Sequence, residues 1–198
     1  MTKIPRIFLL VTLPLYVIDQ ITKWLIVLNF ERGEYRVVID GFFNLVRVHN
    51  QGVAFGFGNN TAWAPVVFLA VPVIALGVLG HFWRRGAFET PLMRLAAALL
   101  VAGILGNLTD RLVQGFALAG AATRSFWENL SKGYVVDFLD FKLPLYGRLV
   151  PASGGHWPSF NVADSCICVA AFLLILSTFR DGKPADPQEA GTEDGTQS

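Results

Sequence analysis

The sequence predicts a mainly α membrane protein: four transmembrane helices with a small extracytoplasmic β-unit in the first outer loop. Three observations predict it. The 198 residues are 53% hydrophobic and only 16% charged, with mean hydropathy +0.48, too apolar for an ordinary soluble domain of this length. Four stretches, 7–28, 62–83, 93–113 and 160–179, are apolar and near the ~20 residues that a helix needs to cross hydrocarbon. Between the first two, "YRVVIDGFFNLVRVHNQGVAFGF" is rich in valine and phenylalanine and carries Asp40-Gly41 between two apolar runs, a hairpin signal. No internal repeat suggests the duplicated architecture of many transporters.

Each element has its own justification. The first stretch is too long for a cleavable signal peptide, lacks a small-residue cleavage site, and places Asp19 and Lys23 four apart on one helical face. The second contains Pro65 and Pro72, which membrane helices tolerate when neighbours re-satisfy the freed carbonyls. The third ends in "GNLTDR", and the fourth carries Asp164 as its single charge. Cys166 and Cys168 lie two apart on that fourth helix, pointing to different sides, so they are expected as small buried or lipid-facing residues rather than as a disulfide or a shared metal site. Residues 1–180 are expected to form a single four-helix domain and 181–198 a disordered cytoplasmic tail, because the tail has no aromatic or aliphatic anchor.

Lysine and arginine density sets the expected orientation. Lys3 and Arg6 precede the first span, Arg84, Arg85 and Arg94 crowd the short second connection, and Arg180 and Lys183 follow the fourth. Both termini are therefore expected in the cytoplasm and the two long connections outside. A net charge of +1 provides no basic field for nucleic acid, and the scattered His49, His81 and His156 form no HExxH zinc motif.

In that orientation the unusual acids gather toward the outer side: Asp19, Asp110, Asp164, and Asp137 and Asp140 in the apolar run "GYVVDFLDF", which is expected to press on the interface. Asp19 and Lys23 suit an i,i+4 ion pair, and Asn107, Asp110 and Arg111 suit a structural hydrogen-bond network. Asn50, Gly52 and Gly56 suit a turn, and Asn161 suits a helix N-cap accepting from the N–H of Asp164 or its neighbour. Asp137 and Asp164 lack a basic residue at helical spacing. Two such acids in low dielectric share one proton, the arrangement by which an aspartic protease activates water and polarises a carbonyl without metal or cofactor. The same residue types also suit a small proton-coupled transporter using intramembrane aspartates. A serine–lysine peptidase built on Ser153 or Ser165 would need a lysine within reach, and the fourth span has none.

Five stretches in order, "DQITK" at 19–23, "NQGVAFG" at 50–56, "GNLTDR" at 106–111, "VVDFLDF" at 135–141 and "FNVADS" at 160–165, strongly resemble the lipoprotein signal peptidase family (signal peptidase II), membrane aspartyl proteases of bacterial lipoprotein maturation. The resemblance implies Asp137 and Asp164 as the catalytic dyad. It implies Asn50, Gly52, Asn107, Asp110, Arg111 and Asn161 as pocket residues, with Asp19 and Lys23 as structural support. It further implies diacylglyceryl-modified prolipoprotein substrates cut before the lipidated cysteine, inhibition by globomycin-type peptides, no metal or other cofactor, and a bacterial inner-membrane location among lipids; a monomer is expected. Residues 116–131 and 142–156 look long for the family and lie beside the expected site.

Overall fold

A computed structural model describes residues 5–52 and 64–181. Four helices are long and apolar enough to cross a membrane. The first begins as a wide π turn, Phe8–Thr12, and continues as α1, Leu13–Asn29; Pro14, which cannot donate an N–H, lies where the turn tightens. α2 covers Ala64–Arg84 with Pro72 inside it, α3 covers Pro91–Val113, and α6 covers Val162–Asp181. α3 starts where the sequence chemistry starts it: Thr90 Oγ1 accepts from Met93 N at 3.2 Å, and Pro91 occupies the first turn. The expected tail beyond Asp181 and Gly56 of the 50–56 stretch lie outside the described residues.

The bundle's central contact is α3 against α6. Its α3 face is made of small residues, with Ala102, Gly103 and Gly106 among them, and its α6 face of Ala163, Cys166 and Ala170. In lipid no hydrophobic drive separates helix from solvent, so close packing of small residues supplies the association. The approach is tight: a Cβ on Gly103 would meet the carbonyl oxygen of Ala163, and one on Gly106 would meet both Asp19 and Ala163. Cys168, two residues from the buried Cys166, is exposed, and both thiols are free.

The hairpin expected around Asp40-Gly41 is present. β1, Tyr35–Ile39, and β2, Phe43–Asn50, run antiparallel about a turn in which Gly41 has φ +69°, a conformation that favours glycine. The β-unit is larger than expected, however. "VVDFLDF", for which no secondary structure is expected from the sequence, forms strand β3, Val135–Phe141, and it pairs with β2 to complete a sheet in the order β1-β2-β3. Two distant connections are thus joined by backbone hydrogen bonds that periodicity cannot announce. The sheet packs on the end of α1: Ile26 and Phe30 form one core with Tyr134, Val136 and Phe138.

The fourth span also begins later than position 160. Phe160 exchanges backbone hydrogen bonds with Leu139 (2.8 and 3.1 Å), so the chain runs as a short strand along β3 before Val162 opens α6. The two expected insertions have structure of their own. α4, Phe126–Ser131, is closed at its start by a capping box between Ser125 and Glu128, and α5, Pro144–Leu149, lies in the segment between β3 and α6.

Candidate active site

Asn161 is the junction. It is the N-cap of α6, and its Oδ1 accepts from Asp164 N at 2.9 Å while its own N–H donates to Asp164 Oδ2 at 3.1 Å. Its Nδ2 donates to Asp137 Oδ1 at 2.8 Å. Because Phe160 is tied to β3 next to Asp137, the helix start and the strand arrive at one point. Asp137 and Asp164, 27 positions apart in the chain, are bridged by one residue, Asn161, whose side-chain amide holds the Asp137 carboxyl group and whose backbone N–H holds that of Asp164.

Each acid has a further donor. Asn50 Nδ2 donates to Asp137 Oδ2 at 2.9 Å, and Asn107 Nδ2 donates to Asp164 Oδ1 at 2.7 Å. No cation touches either carboxylate among the described residues. Asp137 is almost wholly buried, whereas Asp164 keeps partial exposure. Burial first, and then the charge of Asp164, raises the Asp137 pKa to about 7, against the opposing hydrogen bonds from Asn50 and Asn161. Asp137 is therefore able to hold a proton close to neutral pH, beside the Asp164 carboxyl group.

Beneath the pair lies a buried ion network. Lys23 Nζ contacts Asp19 Oδ2 at 2.9 Å, Asp110 Oδ2 at 3.2 Å and Asn107 Oδ1 at 2.9 Å, one acceptor for each ammonium proton. Asp19, Lys23 and Asp110 are each only 1% exposed. The other bonds of the two carboxylates are the informative ones. Asp19 Oδ1 accepts from Ala163 N at 2.8 Å, and Asp110 Oδ2 accepts from Val136 N at 3.0 Å. Those are the backbone positions immediately before Asp164 and Asp137. One lysine is therefore shared by two acids that hold the two segments of chain bearing the pair.

Asn50 Oδ1 also accepts from Gly52 N at 3.0 Å, closing the expected turn, and Gly52 O accepts from Arg111 Nη2 at 2.9 Å. Arg111 further lies over the Phe68 ring at 4.7 Å, so it connects α3 to α2 and does not pair with its neighbour Asp110. Asp140 stands apart from the other four acids: Asn44 Nδ2 donates to it at 2.8 Å and His156 Nδ1 lies at 2.9 Å, tying segment 142–156 to the sheet. Sequence reasoning missed Gln20, whose Nε2 reaches Asp19 (3.1 Å), Gly106 O (3.1 Å) and Asp110 (3.4 Å); its place inside "DQITK" was the available signal. It also missed His49, which stacks on Tyr134 with centroids 3.7 Å apart and whose pKa falls to about 4, by burial first, so that it is neutral beside Asn50.

Fold and site together define a polytopic membrane protein with two aspartates, each held by amide hydrogen bonds and without a contacting cation among the described residues, at one mouth of its helix bundle. Among the described residues, the acids within the four spans, Asp19, Asp110 and Asp164, all belong to that end, so no acidic path continues along the bundle as a proton relay would require. The Signal peptidase (SPase) II family model matches residues 11–180, and the chain belongs to that family. It is 37% identical to the lipoprotein signal peptidase of Syntrophotalea carbinolica over 89% of this chain and 93% of that one. The corresponding protein of Geobacter sulfurreducens is 35% identical, over 92% and 97% of the two chains. A solved bacterial membrane enzyme structure superposes with a TM-score of 0.68 at 26% identity, covering 96% of this chain and 94% of its own.

Proposed function

We propose that the chain, as one four-helix domain over residues 1–180, is an aspartic endopeptidase that removes signal peptides from diacylglyceryl-modified prolipoproteins, cutting before the lipidated cysteine. The observation that carries this reading is the bridge Asp137–Asn161–Asp164. One ionised carboxylate takes a proton from water as it attacks the scissile carbonyl, and the protonated partner donates to the developing oxyanion. As the tetrahedral intermediate collapses, the carboxyl group that took the water proton gives it to the leaving amine, and a hydroxyl of the intermediate returns its proton to the other carboxylate as the C=O re-forms, so the pair again holds a single proton. Asn161 keeps the two groups in register throughout. Asn50, Gly52, Asn107 and Arg111 shape the pocket, where globomycin-type peptides compete with substrate, while Asp19, Lys23 and Asp110 hold its floor.

The site belongs at the outer interface of the bacterial inner membrane, with both termini cytoplasmic, where a lipid-anchored substrate emerges from the bilayer. The protein works as a monomer. The test is purified protein in detergent incubated with a lipidated prolipoprotein. Leader release that persists in excess chelator supports the reading; loss of cleavage on chelation, restored by adding metal, rejects it. Reporter fusions after residue 88 should read cytoplasmic and those near 125 extracytoplasmic, and the opposite pattern rejects the placement.

A further inference from the structure

At the end of the bundle away from the dyad, the start of the first span and the α2–α3 turn enclose a cleft. Its apolar part, about 410 Å³, is lined by Phe8, Leu76, Leu79, Gly80, Trp83 and Val101. Pro5 and Trp83 also line an adjoining space of about 380 Å³ whose polar lining is Arg6 and Arg94. Arg84 borders the apolar part. The two spaces share a wall and differ in chemistry, one greasy and one cationic.

We propose that this cleft is a binding site for one anionic phospholipid, with an acyl chain in the apolar groove and the headgroup phosphate between Arg6 and Arg94. The size is that of a ligand pocket rather than a packing defect. Charge complementarity selects the occupant. Arg6, Arg84 and Arg94 form no ion pair among the described residues, and Arg94 spends only its Nε on Phe88 O at 3.0 Å. Glu89 lies in the same turn but does not line either space. A guanidinium suits phosphate by geometry and charge. The leader of a precursor begins with a positively charged segment, which these arginines would repel. The leaflet follows from the topology proposed above; the groove and the headgroup preference do not depend on it.

Gly80 provides a clean probe, because a Cβ built there meets nothing within 4 Å, so a larger side chain enters the groove without disturbing the helix. The experiment is native mass spectrometry of the detergent-purified protein titrated with dioleoyl phosphatidylglycerol or dioleoyl phosphatidylcholine. The wild type should bind a first phosphatidylglycerol about 10-fold more tightly than phosphatidylcholine, on the scale by which basic residues attract anionic lipid. Arg6→Gln with Arg94→Gln should erase the preference while leaving a first lipid bound. Gly80→Leu should weaken the first lipid of either kind. Equal binding of the two lipids by the wild type, a preference that survives the double arginine change, or a Gly80→Leu protein that binds as the wild type does would each overturn the site. Cleavage of the lipidated prolipoprotein by all variants stays near wild type, so failure here is separable from failure of the dyad.

Discussion

Asn161 and Asp164 cap one another: each side chain bonds the other's backbone N–H, at 2.9 and 3.1 Å, while the Asn161 amide holds Asp137 at 2.8 Å. Helix initiation and the proposed catalytic geometry are therefore one structure. Asn161→Ala should lower stability by about 1 kcal/mol for the lost cap and cleavage by about 10²-fold through misplacement of the pair. The loss should appear in kcat. A variant that loses only thermal stability, with kcat intact, would show that the amide merely caps.

Asp137→Asn and Asp164→Asn should each remove at least about 10²-fold of cleavage, the scale of acid–base groups. The double change should cost little more than either, because groups acting as one unit are not additive. Melting temperatures in detergent should hold or rise, since a buried charge is removed. A well-folded Asp164→Asn protein that cleaves at a near-native rate sinks the dyad.

Lys23→Met leaves Asp19 and Asp110 buried without their shared cation. Breaking such a network typically costs about 3–5 kcal/mol. Both acids hold backbone beside the dyad, so activity should fall together with stability. Thermal unfolding in detergent is the measurement, and an unchanged midpoint would refute the supporting role.

Asp137 titrates at about 7 in the folded protein against an ordinary 3.8. The folded state binds this proton more tightly than the unfolded chain, so the group's stabilising contribution is full below about pH 4 and is lost progressively up to about pH 7. On the order of a few kcal/mol should drain away across that window. Asp137→Asn should flatten this part of the stability curve. Cleavage should decline above about pH 7, as the shared proton leaves; a rate that keeps climbing beyond that pH would contradict a protonated partner.

Phe126 and Trp127 are exposed on α4, with Trp127 at 74%, while Asn129 of the same helix is buried and holds Ala121 O at 2.9 Å. Exposed aromatic rings favour the headgroup level, so this pair is expected to act as an interfacial anchor at substrate entry. Phe126→Ala with Trp127→Ala should raise KM and spare kcat, the signature of altered binding alone. A fall in kcat at unchanged KM would assign the helix to the chemistry.

Hydropathy alone determined the four spans, because crossing hydrocarbon imposes length and composition on each helix independently of its neighbours. Local chemistry likewise determined the Asp40-Gly41 turn, the Asp19–Lys23 pair and the Asn161 cap, whose partners lie within a few residues. What only the tertiary structure decided is long-range. "VVDFLDF" has too little alternation to declare itself a strand, and it becomes one by pairing with β2 from another connection. Asp110 reads as a neighbour of Arg111, yet packing turns it to Lys23 and Val136, and Arg111 to Gly52. Asp140 lies three positions from Asp137 but is drawn into a separate network with His156. The meeting of Asp137 with Asp164 depends on Gly103 and Gly106 letting α6 close on α3, and on Phe160 lying along β3. Such contacts join residues far apart in the chain, and a one-dimensional pattern carries no term for them.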